Sequence, residues 1–134
     1  MSSSRIEDLV PELQAKFRLF ASICLSSGID FRVTCTLRSQ IEQDALYAQG
    51  RTKPGKIVTW TRKSRHSKGR AFDIAILSNG KIVWDTSYDA DHDTIPEYLE
   101  AGIIGETVGL TWGGRWKGKP DYCHFQLPDE KEAA

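Results

Sequence analysis

The stretch "AFDIAILSNGKIVW", residues 71–84, constrains the fold of this chain more than any other. Two runs rich in apolar residues flank Asn79-Gly80, a dipeptide that supplies the positive φ values of a tight hairpin turn, so the stretch predicts two antiparallel strands. Side chains alternate along a strand, which sets Phe72, Ile74 and Ile76 on one face and Ala71, Asp73 and Ala75 on the other. Asp73 is therefore a carboxylate in the middle of an apolar run. An ionised carboxylate in such surroundings loses several kcal/mol of hydration unless a partner or a metal replaces the water. His66, just upstream in "SRHSKGR", is one candidate to compensate it.

The rest of the chain surrounds this hairpin with helices and further strands. In "PELQAKFRLFASICLSSG", Leu13, Phe17, Phe20 and Cys24 recur at helical spacing, with Pro11 suited to the first turn and Gly28 to the stop. "FRVTCTL" alternates as a half-buried strand over 31–37, after which Ser39 caps a short helix running through Gln49. Residues 50–70, rich in Gly, Lys and Arg, read as a long surface loop, and loops of that length are commonly functional. A helix follows from Thr94 to about Val108, with Thr94 and Glu97 forming a capping box. "LTWGG" and "YCHFQL" read as two closing strands. Helices and antiparallel strands alternate without βαβ regularity, so the expected class is α+β: a small antiparallel sheet packed against helices. No repeat, linker or low-complexity segment divides the chain, so residues 1–134 are expected to form one domain with no appended targeting domain.

Charge narrows the function classes. Eighteen basic residues balance eighteen acidic ones, which lacks the basic excess of a nucleic-acid footprint. No segment approaches the roughly 20 apolar residues of a membrane span, and "MSSSRIEDLV" has no export signal, so a protein made in the cytoplasm and not inserted in a membrane is expected. Cys24, Cys35 and Cys123 form no close metal pair, and their odd number argues against a disulfide framework; they read as small buried hydrophobes. "DADHDTIPEYLE" sets Asp89, Asp91, Asp93 and Glu100 at calcium-loop spacing, but Thr94 stands where the sharp turn needs Gly, and the capping box explains the same residues. Trp112 and Trp116 either line a cleft or pack in the core, the commoner fate.

Strand parity raises a chemical possibility. In "YCHFQL", Tyr122, His124 and Gln126 share one face. His66, Asp73 and His124 could then supply the three protein ligands of a catalytic zinc with an open fourth position. The alternative is that both histidines are surface or hydrogen-bonded residues and that Asp73 pairs with an arginine.

"SRHSKGRAFD" resembles the S-x-H-x-x-G-x-A-x-D signature of the zinc peptidases that include D-Ala-D-Ala carboxypeptidases, D-Ala-D-Ala dipeptidases and L-alanyl-D-glutamate endopeptidases, with Ser64, His66, Gly69, Ala71 and Asp73 in register. The flanks "LRSQIEQDALYAQGRTKPGKIVTW" and "GGRWKGKPDYCHFQL" are similar to the endopeptidase branch best known as phage endolysins. The resemblance implies Zn2+ held by His66, Asp73 and His124, and Asp121 as general base, where residue chemistry alone reads Asp121 as a turn former after Pro120. It implies an oxyanion-stabilising role for Arg38, otherwise a polar residue at a strand end, and substrate-facing positions for Arg38 and Ser64. The implied protein is a monomeric peptidoglycan endopeptidase cutting L-Ala/D-Glu, an endolysin held in the host cytoplasm until the membrane is permeabilised. Alternatives are a D-Ala-D-Ala carboxypeptidase or dipeptidase, or a zinc-bearing binding module without catalysis, as in the hedgehog signalling domain. Thr36 and Lys68 depart from the residues common in these relatives at their positions, glycine and an aromatic.

Overall fold

The computed structural model describes residues 3–57, 65–87 and 96–128. Three helices, α1 (Pro11–Ser26), α2 (Gln40–Ala48) and α3 (Glu97–Thr107), accompany five strands, β1 (Phe31–Cys35), β2 (Ala71–Ser78), β3 (Lys81–Val83), β4 (Thr111–Trp112) and β5 (His124–Gln126). Every strand pairing is antiparallel, in the order β1-β2-β5-β4, with β3 added against the far end of β2. This is the α+β class.

Local chemistry explains several boundaries. Gly28, at φ +77, follows the end of α1, where a residue with a Cβ would be strained. The Ser39 hydroxyl accepts the Glu42 N–H at 3.2 Å and caps α2. Asn79 and Gly80, at φ 52 and 80, turn β2 into β3, with Ser78 paired to Lys81. α3 begins at Glu97 rather than at Thr94, with Pro96 as the capping residue and no side-chain cap. Proline has no N–H to lose, which suits it to a helix start. Thr94, half of the expected capping box, lies outside the described residues, as do Asp89, Asp91 and Asp93; Glu100 lies within α3. β1 is shorter than expected: it passes a register shift between Val33 and Cys35 and ends at Cys35, and Leu37 instead bridges Ser3.

The core lies on one face of the sheet. Phe72, Ile74 and Ile76 of β2 are buried there with Leu13, Phe17, Phe20 and Cys24 of α1 and Tyr98, Ala101 and Ile104 of α3. Phe72 stacks on Phe125 at 5.3 Å and 10°, and Phe20 approaches both rings. Two glycines let α3 reach the sheet: a Cβ on Gly102 would stand 2.3 Å from the Trp112 ring, and one on Gly105 would stand 2.5 Å from Phe125. Glycine costs about 1 kcal/mol against alanine inside a helix, and here the close ring contacts require it. The Tyr98 hydroxyl accepts the Ile76 N–H at 3.1 Å and donates to the Val83 carbonyl at 2.6 Å, so its burial leaves no polar group stranded. With the core on this side, Ala71, Asp73 and Ala75 are turned to the opposite face. Among the described residues no helix is long and apolar enough to cross a membrane.

Candidate metal centre

β2 is flanked at Asp73 by two strands at once: Cys35 of β1 on one side and His124 of β5 on the other. That register brings the face of small residues on β2 against the polar face of β5. His66 arrives from a single 3-10 turn, Arg65–Lys68, immediately before β2. The turn closes at Gly69, at φ +67, where a Cβ would stand 2.8 Å from the Asp8 carbonyl oxygen; the Gly69 carbonyl accepts the Val10 N–H at 3.0 Å. The segment before α1 therefore anchors the turn that carries His66. Arg38 N–H donates to the His66 carbonyl at 3.0 Å, joining the end of β1 to the same turn.

These three side chains converge. His66 Nε2 lies 3.1 Å, and His124 Nδ1 3.0 Å, from the same Asp73 oxygen, Oδ1. One nitrogen or oxygen from each residue lies within 4.8 Å of the others, which suits one ion in place of the hydrogen bonds. Two imidazoles and a carboxylate are the donor set of catalytic zinc sites. Burial is uneven: the side chains of His66 and His124 are 3% and 9% exposed, but Asp73 is 21% exposed. The cluster is therefore open to solvent on its Asp73 side, where a fourth position would face water.

The electrostatics are those of a closely coupled set. Burial, the largest influence on His66, favours its neutral form, yet the hydrogen bond and charge of Asp73, aided by Cys35, raise its pKa to about 9. Burial likewise pushes the Asp73 carboxyl up, but hydrogen bonds from His124 and His66 outweigh it and hold the group well below the usual carboxylate range. Asp73 is thus compensated by two imidazoles, and no arginine is needed.

Asp121 sits at the surface beside this cluster. Desolvation by the surrounding chain and the negative charge of Asp73 raise its pKa, against the lowering influence of His124, the Cys123 N–H and His66. Its Oδ1 accepts the Cys123 N–H at 3.3 Å, so it forms the local turn as well as neighbouring the cluster. Its backbone N–H donates to the Gly113 carbonyl at 2.9 Å, and its own carbonyl accepts the His124 N–H at 3.3 Å. Gly113 is required by this crossing, since a Cβ there would stand 2.5 Å from the Asp121 carbonyl oxygen.

Arg38 is half-buried: its guanidinium donates to Gln43 Oε1 at 2.9 Å and to Cys35 Sγ at 3.6 Å. Beside it, Thr34, Cys35, Arg38, Glu42, Ala45, Leu46 and Gln49 line an open groove of about 420 Å³. Ser64 lies outside the described residues. The two tryptophans divide: Trp112 is buried and donates its indole N–H to the Tyr122 carbonyl at 3.0 Å, whereas the Trp116 ring, 39% exposed, lies 5.1 Å from that of His124. Sequence reading placed Gln126 on the face of His124 without assigning it a partner; its Oε1 lies 2.8 Å from His124 Nε2. Cys24 and Cys35 are buried, Cys123 half-buried, and all three are free.

The D-alanyl-D-alanine carboxypeptidase family matches residues 58–127. The chain is 40% identical over 123 residues to the peptidoglycan L-alanyl-D-glutamate endopeptidase CwlK of Bacillus subtilis, covering 90% of this chain and 74% of that protein. It shares its fold with the crystal structure of the L-Ala D-Glu endopeptidase ChiX of Serratia marcescens, at a TM-score of 0.73 and 24% identity over 96% of this chain and 87% of that one. With its His-Asp-His donor set turned to one open edge, the chain belongs to the D-alanyl-D-alanine carboxypeptidase family of metal-dependent peptidases.

Proposed function

We propose that this chain is a zinc endopeptidase that hydrolyses the L-Ala/D-Glu bond of peptidoglycan stem peptides. The observation that carries the reading is the convergence of His66, Asp73 and His124 at an open edge beside Asp121, in a chain 40% identical to an enzyme named for that bond. His66 would hold the ion through Nε2, Asp73 through its carboxylate and His124 through Nδ1. When bound, zinc supplies a Lewis acid and lowers the pKa of a water toward about 7.

The chain's own groups then handle proton and charge. Asp121 accepts the proton of the attacking water and passes it to the departing D-Glu amine, a transfer that needs a carboxylate beside the metal. Burial and the neighbouring charge of Asp73 raise its pKa and so make it a stronger base than an ordinary aspartate. Arg38, already held by Gln43 and Cys35, offers a fixed cation to the oxygen that gains charge, an arrangement that requires no reorganisation during reaction. Trp116, partly exposed with its ring 5.1 Å from that of His124, is available to contact the substrate beside the metal. The protein acts as a monomer on the cell wall. Its assignment as a phage endolysin is supported by the similarity of residues 37–60 and 113–127 to that branch, and co-expression with a membrane-permeabilising protein tests it by lysis of the host culture.

Digestion of purified peptidoglycan by the zinc-loaded protein, followed by amino-terminal labelling and mass spectrometry, decides the bond. The expected products carry a new D-Glu amino terminus and leave L-Ala on the muramyl lactyl group. Release of free D-Ala or of a D-Ala-D-Ala dipeptide, without a new Glu terminus, would assign the carboxypeptidase or dipeptidase chemistry instead.

A further inference from the structure

The two candidate histidine ligands present opposite ring nitrogens to Asp73, Nε2 from His66 and Nδ1 from His124. A neutral imidazole carries its proton on one nitrogen only, so these two rings can both bind a metal only as opposite tautomers. The surroundings of each ring meet that requirement. His66 Nδ1 faces the Thr36 carbonyl at 3.4 Å, and a carbonyl can only accept, so this contact favours the proton on Nδ1. His124 Nε2 faces Gln126 Oε1 at 2.8 Å, the shorter of the two contacts.

We propose that Gln126 is a positioning residue for the metal centre, accepting the Nε2–H of His124 and so reserving Nδ1 for the ion. Four observations support it. Gln126 is 6% exposed on the site face of a central strand, where a buried amide is costly unless hydrogen-bonded. Its backbone pairs on both sides, with Ala71 and Thr111, so the base of the side chain is held by the sheet. Residues two apart on a strand share a face, which puts Gln126 beside His124. Finally, the amide is uncharged: it can orient the ring without placing another negative charge in a pocket that already contains Asp73. The inference rests on the metal reading of the His66, Asp73 and His124 cluster and extends to a residue outside it.

Zinc affinity measured by chelator competition tests this without reference to any substrate. Loss of a ligand's hydrogen-bond partner typically weakens metal binding 10- to 100-fold. Gln126→Leu is expected to weaken zinc binding by about that factor, and Gln126→Glu, which restores an acceptor, to bind at least as tightly as wild type. In imidazole 15N spectra of the zinc-loaded protein, His124 should show a slowly exchanging Nε2 proton that exchanges quickly in Gln126→Leu. Should the leucine variant not fold, Gln126→Met, unbranched and of similar length, carries the same comparison. A folded Leu or Met variant with wild-type affinity overturns the proposal, as does a Glu variant weakened to the same extent. Failure of the wild-type protein to bind zinc would instead overturn the metal reading itself.

Discussion

Asp73 Oδ1 is the shared acceptor of two imidazoles, 3.1 Å from His66 Nε2 and 3.0 Å from His124 Nδ1. One oxygen thus joins a residue seven positions upstream to one fifty-one positions downstream. Replacing any of the three should dismantle the centre. Asp73→Ala and His124→Ala are expected to lose zinc by more than the 10- to 100-fold typical of an outer partner, as measured by elemental analysis after dialysis against a weak chelator. Retention of one zinc per chain in either variant would contradict the ligand assignment.

Asp121→Asn separates proton transfer from metal holding. The amide keeps the size of the side chain and can still accept the Cys123 N–H, but it cannot take a proton from water near neutral pH. The rate of peptidoglycan hydrolysis should fall roughly 10²- to 10⁴-fold with zinc still bound. Near-wild-type turnover by the zinc-loaded variant would remove Asp121 from the mechanism.

The pH dependence has a defined sign. In the metal-free protein the pKa of His66 rises from 6.5 to about 9, so its pairing with Asp73 contributes fully below pH 6.5 and is lost as pH rises through 9. Asp73, held below its ordinary 3.8, contributes above that value and loses its contribution in stronger acid. Zinc must displace the His66 proton, so the stabilisation it brings should grow between pH 6 and pH 9. Melting curves with and without zinc at pH 6, 7.5 and 9 measure this; a zinc-induced shift that shrinks over that range would contradict the assignment.

Gly105→Ala tests how tightly α3 is seated. Alanine improves helix propensity by about 1 kcal/mol, but overpacking a core costs about 1–3 kcal/mol. The added Cβ would stand 2.5 Å from the Phe125 ring, which is itself stacked on Phe72 and adjacent in sequence to His124. Net destabilisation on the order of 1 kcal/mol is expected in urea unfolding. An unchanged or raised midpoint would show that the ring yields freely.

Whatever depends on neighbours in the chain was legible from the residues alone. The alternation around Asp73 and around His124 set both on faces away from the phenylalanines, since strand parity is a property of the backbone. Asn79-Gly80 specified its turn and Ser39 its cap for the same local reason. The convergence of His66, Asp73 and His124 was suggested by the family signature, but the pairing of Asp73 with His124 and Cys35 comes from the strand register, which is held by packing of the Phe72 and Phe125 rings against Phe20 of α1. The opposite fates of Trp112 and Trp116 were likewise a tertiary outcome, because Gly102 opens space in α3 for Trp112. The partners of Arg38 and Gln126 depend on side-chain contacts that no pattern of residue types contains. Periodicity decides which way a side chain points, and only the packed sheet decides what it meets.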